Sequence, residues 1–199
     1  MNVHLARGVI SLKEGIREKI FKAAQRLFVE KGYHSTSVPE IVKEAQVSTG
    51  AVYHHFNSKE ELARAIHQQA VQEFIERYDQ EVRSQNKTRD KIRGYVTMMF
   101  RWVEQDPIMV EYLLYARPKE VLEKCMTICS EEGLSAVKEI IVEGMESGEL
   151  KSTQVVVAAA TLSGILIRLI EMRLDKLIDL PLTELIDPTV ENIWFALRS

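Results

Sequence analysis

Residues 37–62 read SVPEIVKEAQVSTGAVYHHFNSKEEL, and this stretch decides the fold. It has the form of two short helices joined by a tight turn, with a third helix following directly. Ser37 and Glu40 form a capping box, Ser48 is the natural N-cap of the middle helix, and Ser58 begins a second box. This arrangement is typical of a helix-turn-helix element. The stretch therefore predicts DNA binding, and regulation rather than catalysis.

Apolar residues on both sides of the turn supply a small core for this unit. They recur at the spacing of amphipathic helices, at Ile16, Ile20, Ala23, Ala24, Leu27 and Phe28 and again at Val38, Ile41 and Val42. Val52 and Phe56 of the middle helix are expected to pack against them. A third capping box at Ser11 predicts the start of the first helix. We expect a compact three-helix unit from which a fourth helix leaves.

Residues 12–62 resemble the N-terminal domain of TetR-type regulators. The resemblance covers about a quarter of the chain and is gap-free, and its matching positions are Gly32-Tyr33, Thr36-Ser37-Val38, Ile41-Val42, Ala45, Val47-Ser48, Gly50, Tyr53-His54-His55-Phe56, Ser58-Lys59-Glu60 and Leu62. One position departs, because the family often has glycine where this chain has Gln46. If the turn needs a positive φ there, the glutamine is strained by about 1 kcal/mol; otherwise the turn is wound differently.

The resemblance implies that the third helix lies in the major groove of DNA. Carried over position by position, the implied DNA-binding residues are Thr36, Ser48, Thr49, Gly50, Tyr53, His54, His55 and Lys59. Hydroxyls at a helix start suit phosphates or base edges, and Lys59 would supply a point charge to the backbone. For two of them a structural role competes, since His55 can be a packed aromatic ring and Tyr53 can cover the edge of the core.

The charge is divided unevenly along the chain. The net charge is −3, but residues 1–60 sum to +3 and residues 61–199 to −6, and four of the five histidines lie in the first part. A basic head on an acidic body suits a phosphate-facing module attached to something else. Chance asymmetry is the competing interpretation.

The remainder of the chain predicts helices throughout. We expect them at 59–83, 89–105, 107–115, 118–147, 153–177 and 187–197, with prolines opening several of them and Gly148 closing one. No alternating strand pattern competes, so the fold class is all-α with about nine helices. The predicted domains are a helix-turn-helix DNA-binding domain at 1–58 and an effector-binding and dimerisation domain at 59–199.

The helix at 153–177 is the predicted dimer helix. Small side chains at neighbouring positions let another helix approach closely, and the last helix adds apolar groups, so two subunits can form a four-helix bundle. The predicted interface comprises Ala159, Ala160, Ser163, Gly164, Val190, Ile193, Trp194 and Leu197. Alternatively, both helices pack inside one subunit.

If the resemblance extends beyond residue 62, the body holds a small-molecule pocket. Methionine and aromatic side chains suit an adaptable apolar site, although such a stripe is more often plain core. The candidate residues are Met98, Met99, Trp102, Tyr112, Leu113, Tyr115, Cys125, Met126, Cys129, Leu166, Arg168 and Ile170. Arg168 either pairs with Glu171 three residues on or meets a polar end of the ligand.

Several other classes are disfavoured by what the sequence lacks. There is no H-E-x-x-H, G-x-S-x-G or phosphate-binding glycine loop, so we expect neither an enzyme nor a cofactor. The i, i+4 spacing of Cys125 and Cys129 is poor for a disulfide, and metal binding or oxidant sensing is the weaker alternative to two buried small residues. No signal peptide is evident, and the apolar run at 155–167 is short for a membrane span. A cytoplasmic protein without membrane contact is expected.

These observations predict a homodimeric transcriptional regulator. We expect a repressor that binds a palindromic DNA operator and is released by a small apolar effector of unknown identity. A transcriptional activator of the same fold, or a ligand-free helix-turn-helix scaffold, is the alternative.

Overall fold

The computed structural model describes residues 3–116 and 131–199, with side chains described for 15–115 and from 134 onward. The described residues are helical almost throughout, and their only strand-like feature is an isolated antiparallel bridge between Leu150 and Arg198. The helices are α1 Val3–Lys31, α2 Val38–Ala45, α3 Thr49–His55, α4 Lys59–Tyr78, α5 Thr88–Gln105, α6 Pro107–Glu111, α7 Glu131–Glu146, α8 Val155–Leu174 and α9 Ile186–Leu197. The all-α prediction is confirmed.

Three short segments of other helix types accompany these helices. A π-helix continues α4 over Asp79–Arg83, a second follows α6 over Tyr112–Ala116, and a 3-10 turn at Leu182–Leu185 precedes α9. With these extensions, helix ends agree with the predicted ends at residues 83 and 115 to within one residue. Helix α1 begins at Val3, ahead of Ser11, so the predicted capping box at Ser11 does not start a helix.

The chain forms two compact units. The first, called the head, contains the described residues of 1–70 and 111–116, and the second, called the body, contains 71–110 and 131–199. The division falls inside α4, between Ala70 and Val71. The predicted domain boundary at residues 58 and 59 stays a prediction.

The core of the head is built by the apolar residues that the periodicity indicated. Ile20, Phe28, Ile41 and Leu62 are at most 1% exposed, and Val52 and Phe56 of α3 are buried beside them. Burial of one such side chain contributes about 1.5–3 kcal/mol relative to leaving it in water. The inward side of α3 is therefore fixed by Val52 and Phe56.

The turn between α2 and α3 is a Schellman motif. The Gln46 N–H donates to the Lys43 carbonyl at 3.3 Å, and the Val47 N–H donates to the Val42 carbonyl at 3.2 Å. Gln46 itself adopts the left-handed conformation, with φ 55° and ψ 46°. These two hydrogen bonds satisfy two of the carbonyls that a helix end otherwise leaves without partners. The departure from glycine at this position is therefore real strain, because a Cβ disfavours this region.

A cluster around Tyr33 ties the loop between α1 and α2 to the start of α4. The Lys59 ammonium donates to the carbonyls of Tyr33 at 2.9 Å and Thr36 at 2.8 Å, and it lies 4.3 Å from the centre of the Tyr33 ring. The Tyr33 hydroxyl donates to the Glu60 carboxylate at 3.1 Å. Burial, and then the Glu60 carboxylate, raise the pKa of Tyr33 to about 12. The loop thus gains partners from both residues that open α4.

The body is organised around α5. Its apolar side is fully buried, at Ile92, Val96, Met98, Met99 and Trp102, while polar residues such as Asp90, Arg101 and Gln105 are exposed. The helix comes very close to a neighbour at Gly94, where an added Cβ would lie 2.0 Å from the Glu81 carbonyl oxygen of the first π-helix. Only glycine allows that approach. Helix α5 therefore packs into the body along its apolar side and stays open to solvent at Arg101.

The strain at Gln46 can be tested by substitution. We expect Gln46→Gly to raise the free energy of unfolding by about 0.5–1 kcal/mol, because relief of the left-handed penalty exceeds the entropy that glycine loses on folding. Urea denaturation followed by circular dichroism measures it. Gln46→Ala is the matched control, since it shortens the side chain but keeps the Cβ. Equal stability of the two variants would show that Gln46 carries no strain.

Candidate nucleic-acid interface

Helix α3 is positioned by the turn before it and by its own cap. Ser48 is extended, with φ −77° and ψ 154°, and its hydroxyl oxygen accepts from the Ala51 N–H at 3.1 Å. The predicted N-cap is therefore present. The capping box at Ser37 is complete as well, with the Glu40 N–H donating to the Ser37 hydroxyl and the Ser37 N–H donating to the Glu40 carboxylate.

Two ion pairs on the surface connect α2 to α1. The Arg26 guanidinium lies 2.7 Å from the Glu44 carboxylate, and the Lys31 ammonium lies 2.7 Å from the Glu40 carboxylate. Hydrogen bonds from Lys31 and Ser37 lower the pKa of Glu40 to about 2. Exposed pairs stabilise a fold little, but they orient the helix before α3 against the long first helix.

The opposite side of α3 is open to solvent. Ser48, Thr49, Gly50 and His54 are exposed, Tyr53 is 52% exposed, and His55 is half-buried. The His55 ring packs at 5.2 Å from that of His54 and 6.5 Å from that of Phe56, as centroid distances. We call these six residues the α3 face. Its hydroxyls, phenol and imidazoles can donate hydrogen bonds to phosphates or base edges.

Gly50 is unexplained by the packing of the head. A Cβ added there would meet no described atom nearer than the Ser48 hydroxyl oxygen, at 3.9 Å, which is an ordinary contact. The residue lies in the first turn of a regular helix, so its backbone does not require glycine either. What glycine leaves at this position is room for something outside the protein to approach the backbone.

Two of the predicted contact residues point away from the α3 face. Thr36 is 1% exposed, and its hydroxyl donates to the Gly32 carbonyl at 2.9 Å and lies 3.2 Å from that of Leu27. Lys59 is engaged with the Tyr33 and Thr36 carbonyls as described above. The sequence missed both engagements because the acceptors are backbone carbonyls, and those of Lys59 lie 26 and 23 residues earlier in the chain. The structure brings the other six predicted residues together.

The predicted dimer residues fall into two groups. Four of them are at most 3% exposed and belong to the core of the body, namely Ala159, Val190, Ile193 and Leu197. For these four residues the structure agrees with the alternative prediction, that they pack inside one subunit. Ala160 and Gly164 of α8 are exposed, and Ser163 and Trp194 are half-buried. The sequence missed the large exposed apolar groups on these helices, which are Val156, Val157 and Phe195. Their positions around the helix axis, on the side away from the buried residues, could have identified them in the sequence.

A groove of about 540 Å³ runs between α8 and α9. Gly164, Ile165 and Leu169 form one wall, and Leu185, Pro188 and Asn192 form part of the other. Of the described helices, α8 alone is long and apolar enough to cross a membrane, and 28% of that apolar window is buried. Such a helix also occurs in soluble proteins as a core or interface element. The exposed part of α8 is thus an apolar surface that its own body leaves uncovered.

The predicted pocket residues are distributed over both units. Met98, Met99, Trp102, Leu166 and Ile170 are buried in the body, whereas Tyr112 and Leu113 are buried in the head. Tyr115 is 54% exposed. Arg168 pairs with Glu171 at 3.2 Å, which was one of its two predicted roles. Cys125, Met126 and Cys129 lie outside the described residues, and within the described ones no group of metal-binding side chains is found.

Comparison with known proteins agrees with this arrangement. Residues 20–66 match the family described as bacterial regulatory proteins, tetR family. The chain is 27% identical to the fatty acid metabolism regulator protein of Bacillus subtilis over 136 residues, which are 67% of this chain and 70% of that protein. It is 34% identical to the HTH-type transcriptional activator FasR of Mycolicibacterium smegmatis over 90 residues, 45% of this chain and 41% of the activator.

The fold is shared over nearly the whole chain. The crystal structure of the transcriptional regulator FadR from Bacillus subtilis in complex with stearoyl-CoA superimposes with a TM-score of 0.68 at 22% identity, covering 88% of this chain and 96% of that one. The match over residues 20–66 and the geometry of the helix-turn-helix identify the head as a DNA-binding domain of the tetR family of bacterial regulatory proteins, and the whole chain shares the all-helical fold of such regulators.

Proposed function

We propose that this protein is a homodimeric repressor that binds a palindromic DNA operator through the α3 face and releases it when an apolar effector enters the body. The observation that carries the proposal is the α3 face itself. Its polar residues are exposed except for the half-buried His55, while Val52 and Phe56 are buried in the core of the head. A short helix fixed in this way is the element that helix-turn-helix proteins insert into the major groove.

Five of the six residues of the α3 face have a proposed part in DNA binding. Ser48 and Thr49 present hydroxyls at the start of the helix, and Gly50 lets a phosphate or base edge come close. The exposed side chains of Tyr53 and His54 donate to phosphates. Thr36 and Lys59 are left out of this surface because their side chains bind carbonyls of the head.

Two copies of the chain would present two α3 faces to the DNA. In helix-turn-helix dimers, the half-sites lie about 34 Å apart, one helical turn of DNA, or a multiple of it. We propose that the partner is a second copy covering the exposed side of α8 and α9, where Val156, Val157, Ala160, Gly164 and Phe195 lie. An isologous contact of this kind buries the same apolar surface on each subunit.

For the effector we propose a long-chain fatty acyl compound. Support comes from the similarity to a fatty acid metabolism regulator and from the fold shared with a regulator solved with stearoyl-CoA. The body of this chain offers buried methionine and aromatic side chains, which adapt to a flexible alkyl chain. The proposed role requires neither catalysis nor a cofactor, and it is exercised in the cytoplasm, where the DNA is.

Two alternatives, an activator and a ligand-free scaffold, can be distinguished from this proposal by different measurements. An activator of the same fold binds its site equally well, and the similarity to FasR over 90 residues is the observation in its favour. A reporter gene behind the operator separates activation from repression. A ligand-free scaffold would be stabilised by no effector in a thermal shift assay.

The DNA directly upstream of the gene is the first operator to test, by gel shift at two salt concentrations. We expect Tyr53→Phe to weaken specific binding roughly ten- to hundredfold, because it removes one hydrogen bond to a charged phosphate, worth about 1.5–3 kcal/mol. Tyr115→Phe is the matched control, since that tyrosine is equally exposed but lies outside the α3 face. If both variants bound like wild type, Tyr53 would not contact the DNA.

The effector class is tested on the same operator complex. Stearoyl-CoA at micromolar concentration is expected to dissociate the complex and to raise the melting temperature of the protein, because it binds the folded, DNA-free form. Coenzyme A without an acyl chain should do neither. Release by coenzyme A alone, or no effect of stearoyl-CoA on both measurements, would reject a long-chain acyl effector.

The dimer surface is tested by one methyl group. No described atom lies within 4 Å of a Cβ added at Gly164, so Gly164→Ala should stabilise an isolated protomer through helix propensity. In a closely packed dimer the same methyl overpacks the contact, and we expect dimerisation to weaken roughly tenfold, as measured by analytical ultracentrifugation. Gly15→Ala in α1 is the control, because its Cβ also meets no described atom. An unchanged dimer in Gly164→Ala would move the interface away from this part of α8.

A further inference from the structure

The indole N–H of Trp102 is a buried donor that the described part of the chain leaves without an acceptor. The side chain is 0% exposed, and its Nε1 makes no hydrogen bond to any described residue. Roughly nine in ten buried polar groups in folded proteins have a partner, because a buried unpaired donor has lost its bonds to water. A buried donor without an acceptor therefore indicates that a group outside the described chain supplies the acceptor.

The described surroundings of Trp102 combine buried apolar side chains with one paired cation. Met98 and Met99 precede it by one helical turn, and both are completely buried. The Arg77 guanidinium lies 5.4 Å from the centre of the indole ring, and Glu73 and Gln105 hold it there at 2.6 and 3.1 Å. A guanidinium carries donors only, so Arg77 cannot supply the acceptor that the indole N–H lacks.

The combination restricts the chemistry of whatever binds there. Flexible apolar side chains accept an alkyl chain, and a single N–H donor requires one acceptor on that chain. An acyl group has this pattern, because it joins a hydrocarbon to one carbonyl oxygen. A pure hydrocarbon would leave the donor unpaired, and a cation would be repelled by the donor and by Arg77.

We propose that Trp102 recognises the carbonyl group of the effector, with the indole Nε1–H donating a hydrogen bond to the acyl oxygen. This rests on the proposed function, since it names the residue of the body that distinguishes an acyl compound from an alkyl one. The discrimination arises because buried donors reject a ligand that lacks the matching acceptor. Trp102 is then a specificity residue as well as a part of the core.

The chain has only two tryptophans, so the indole proton of Trp102 can be observed directly. In protein labelled with indole-¹⁵N tryptophan, Trp194→Phe assigns the two ¹H–¹⁵N resonances. We expect stearoyl-CoA to move the Trp102 resonance to lower field. The probe for comparison is S-octadecyl-CoA, a thioether that replaces the carbonyl by a methylene and should leave the resonance close to its ligand-free position.

Affinities measured by titration calorimetry complete the test. Trp102→Phe keeps an aromatic ring but removes the donor, and we expect it to weaken stearoyl-CoA binding roughly three- to tenfold relative to S-octadecyl-CoA, as the loss of one neutral hydrogen bond implies. Only the ratio of the two affinities is diagnostic, because a loosened core would weaken both probes equally. Should the variant not fold, the resonance in the wild-type protein decides alone.

The outcomes separate this inference from the proposed function. If stearoyl-CoA releases the operator while the Trp102 resonance stays in place and the affinity ratio is unchanged, the carbonyl is read elsewhere and the inference is overturned. The inference is also overturned if the acceptor of the Nε1–H proves to be a trapped water molecule. If neither probe binds, the acyl effector and the inference are both overturned.

Discussion

Three residues, Gln46, Val47 and Ser48, have to end one helix and begin the next, and the candidate DNA-binding surface depends on how they do it. Two backbone hydrogen bonds close α2, and the Ser48 hydroxyl opens α3. Because both helix ends are fixed within one turn of chain, the rotation of α3 about its axis is fixed too. That rotation turns Val52 into the core and leaves Tyr53 in solvent. The left-handed conformation of Gln46 therefore helps to form the site, although Gln46 is not one of the residues of the α3 face.

The head could be predicted from the sequence wherever the interacting groups are neighbours along the chain. Capping at Ser37 and Ser48 joins atoms three residues apart, so residue type and spacing were enough to identify it. The engagement of Lys59 joins it to a carbonyl 26 residues earlier, at Tyr33, and no local pattern reports a bond of that kind. Sequence therefore indicated that Lys59 is a cation near the DNA-binding helix, but not that its charge is turned inward.

The body was predicted less completely, for a different physical reason. Helix α8 is apolar on most of its surface, so its sequence shows that it is buried by something but not which side faces its own chain. In α9 the structure places Val190 and Ile193 inside and Phe195 outside, a distinction that needs the positions of neighbouring helices. The same holds for Trp102, whose identity is visible in the sequence, whereas the missing acceptor at Nε1 is a property of its surroundings.

The inward position of Lys59 changes how the electrostatics of this head should be counted. A cation that releases counterions from DNA makes binding weaken with added salt, whereas one that is bound to two carbonyls contributes little to that dependence. Losing Lys59 would loosen the loop between α1 and α2 and thereby lower affinity by a similar factor at every ionic strength. At a single salt concentration, loss of Lys59 would lower the affinity for DNA just as loss of a phosphate contact does. Only measurements at two salt concentrations would distinguish them, because the salt dependence of binding would be unchanged.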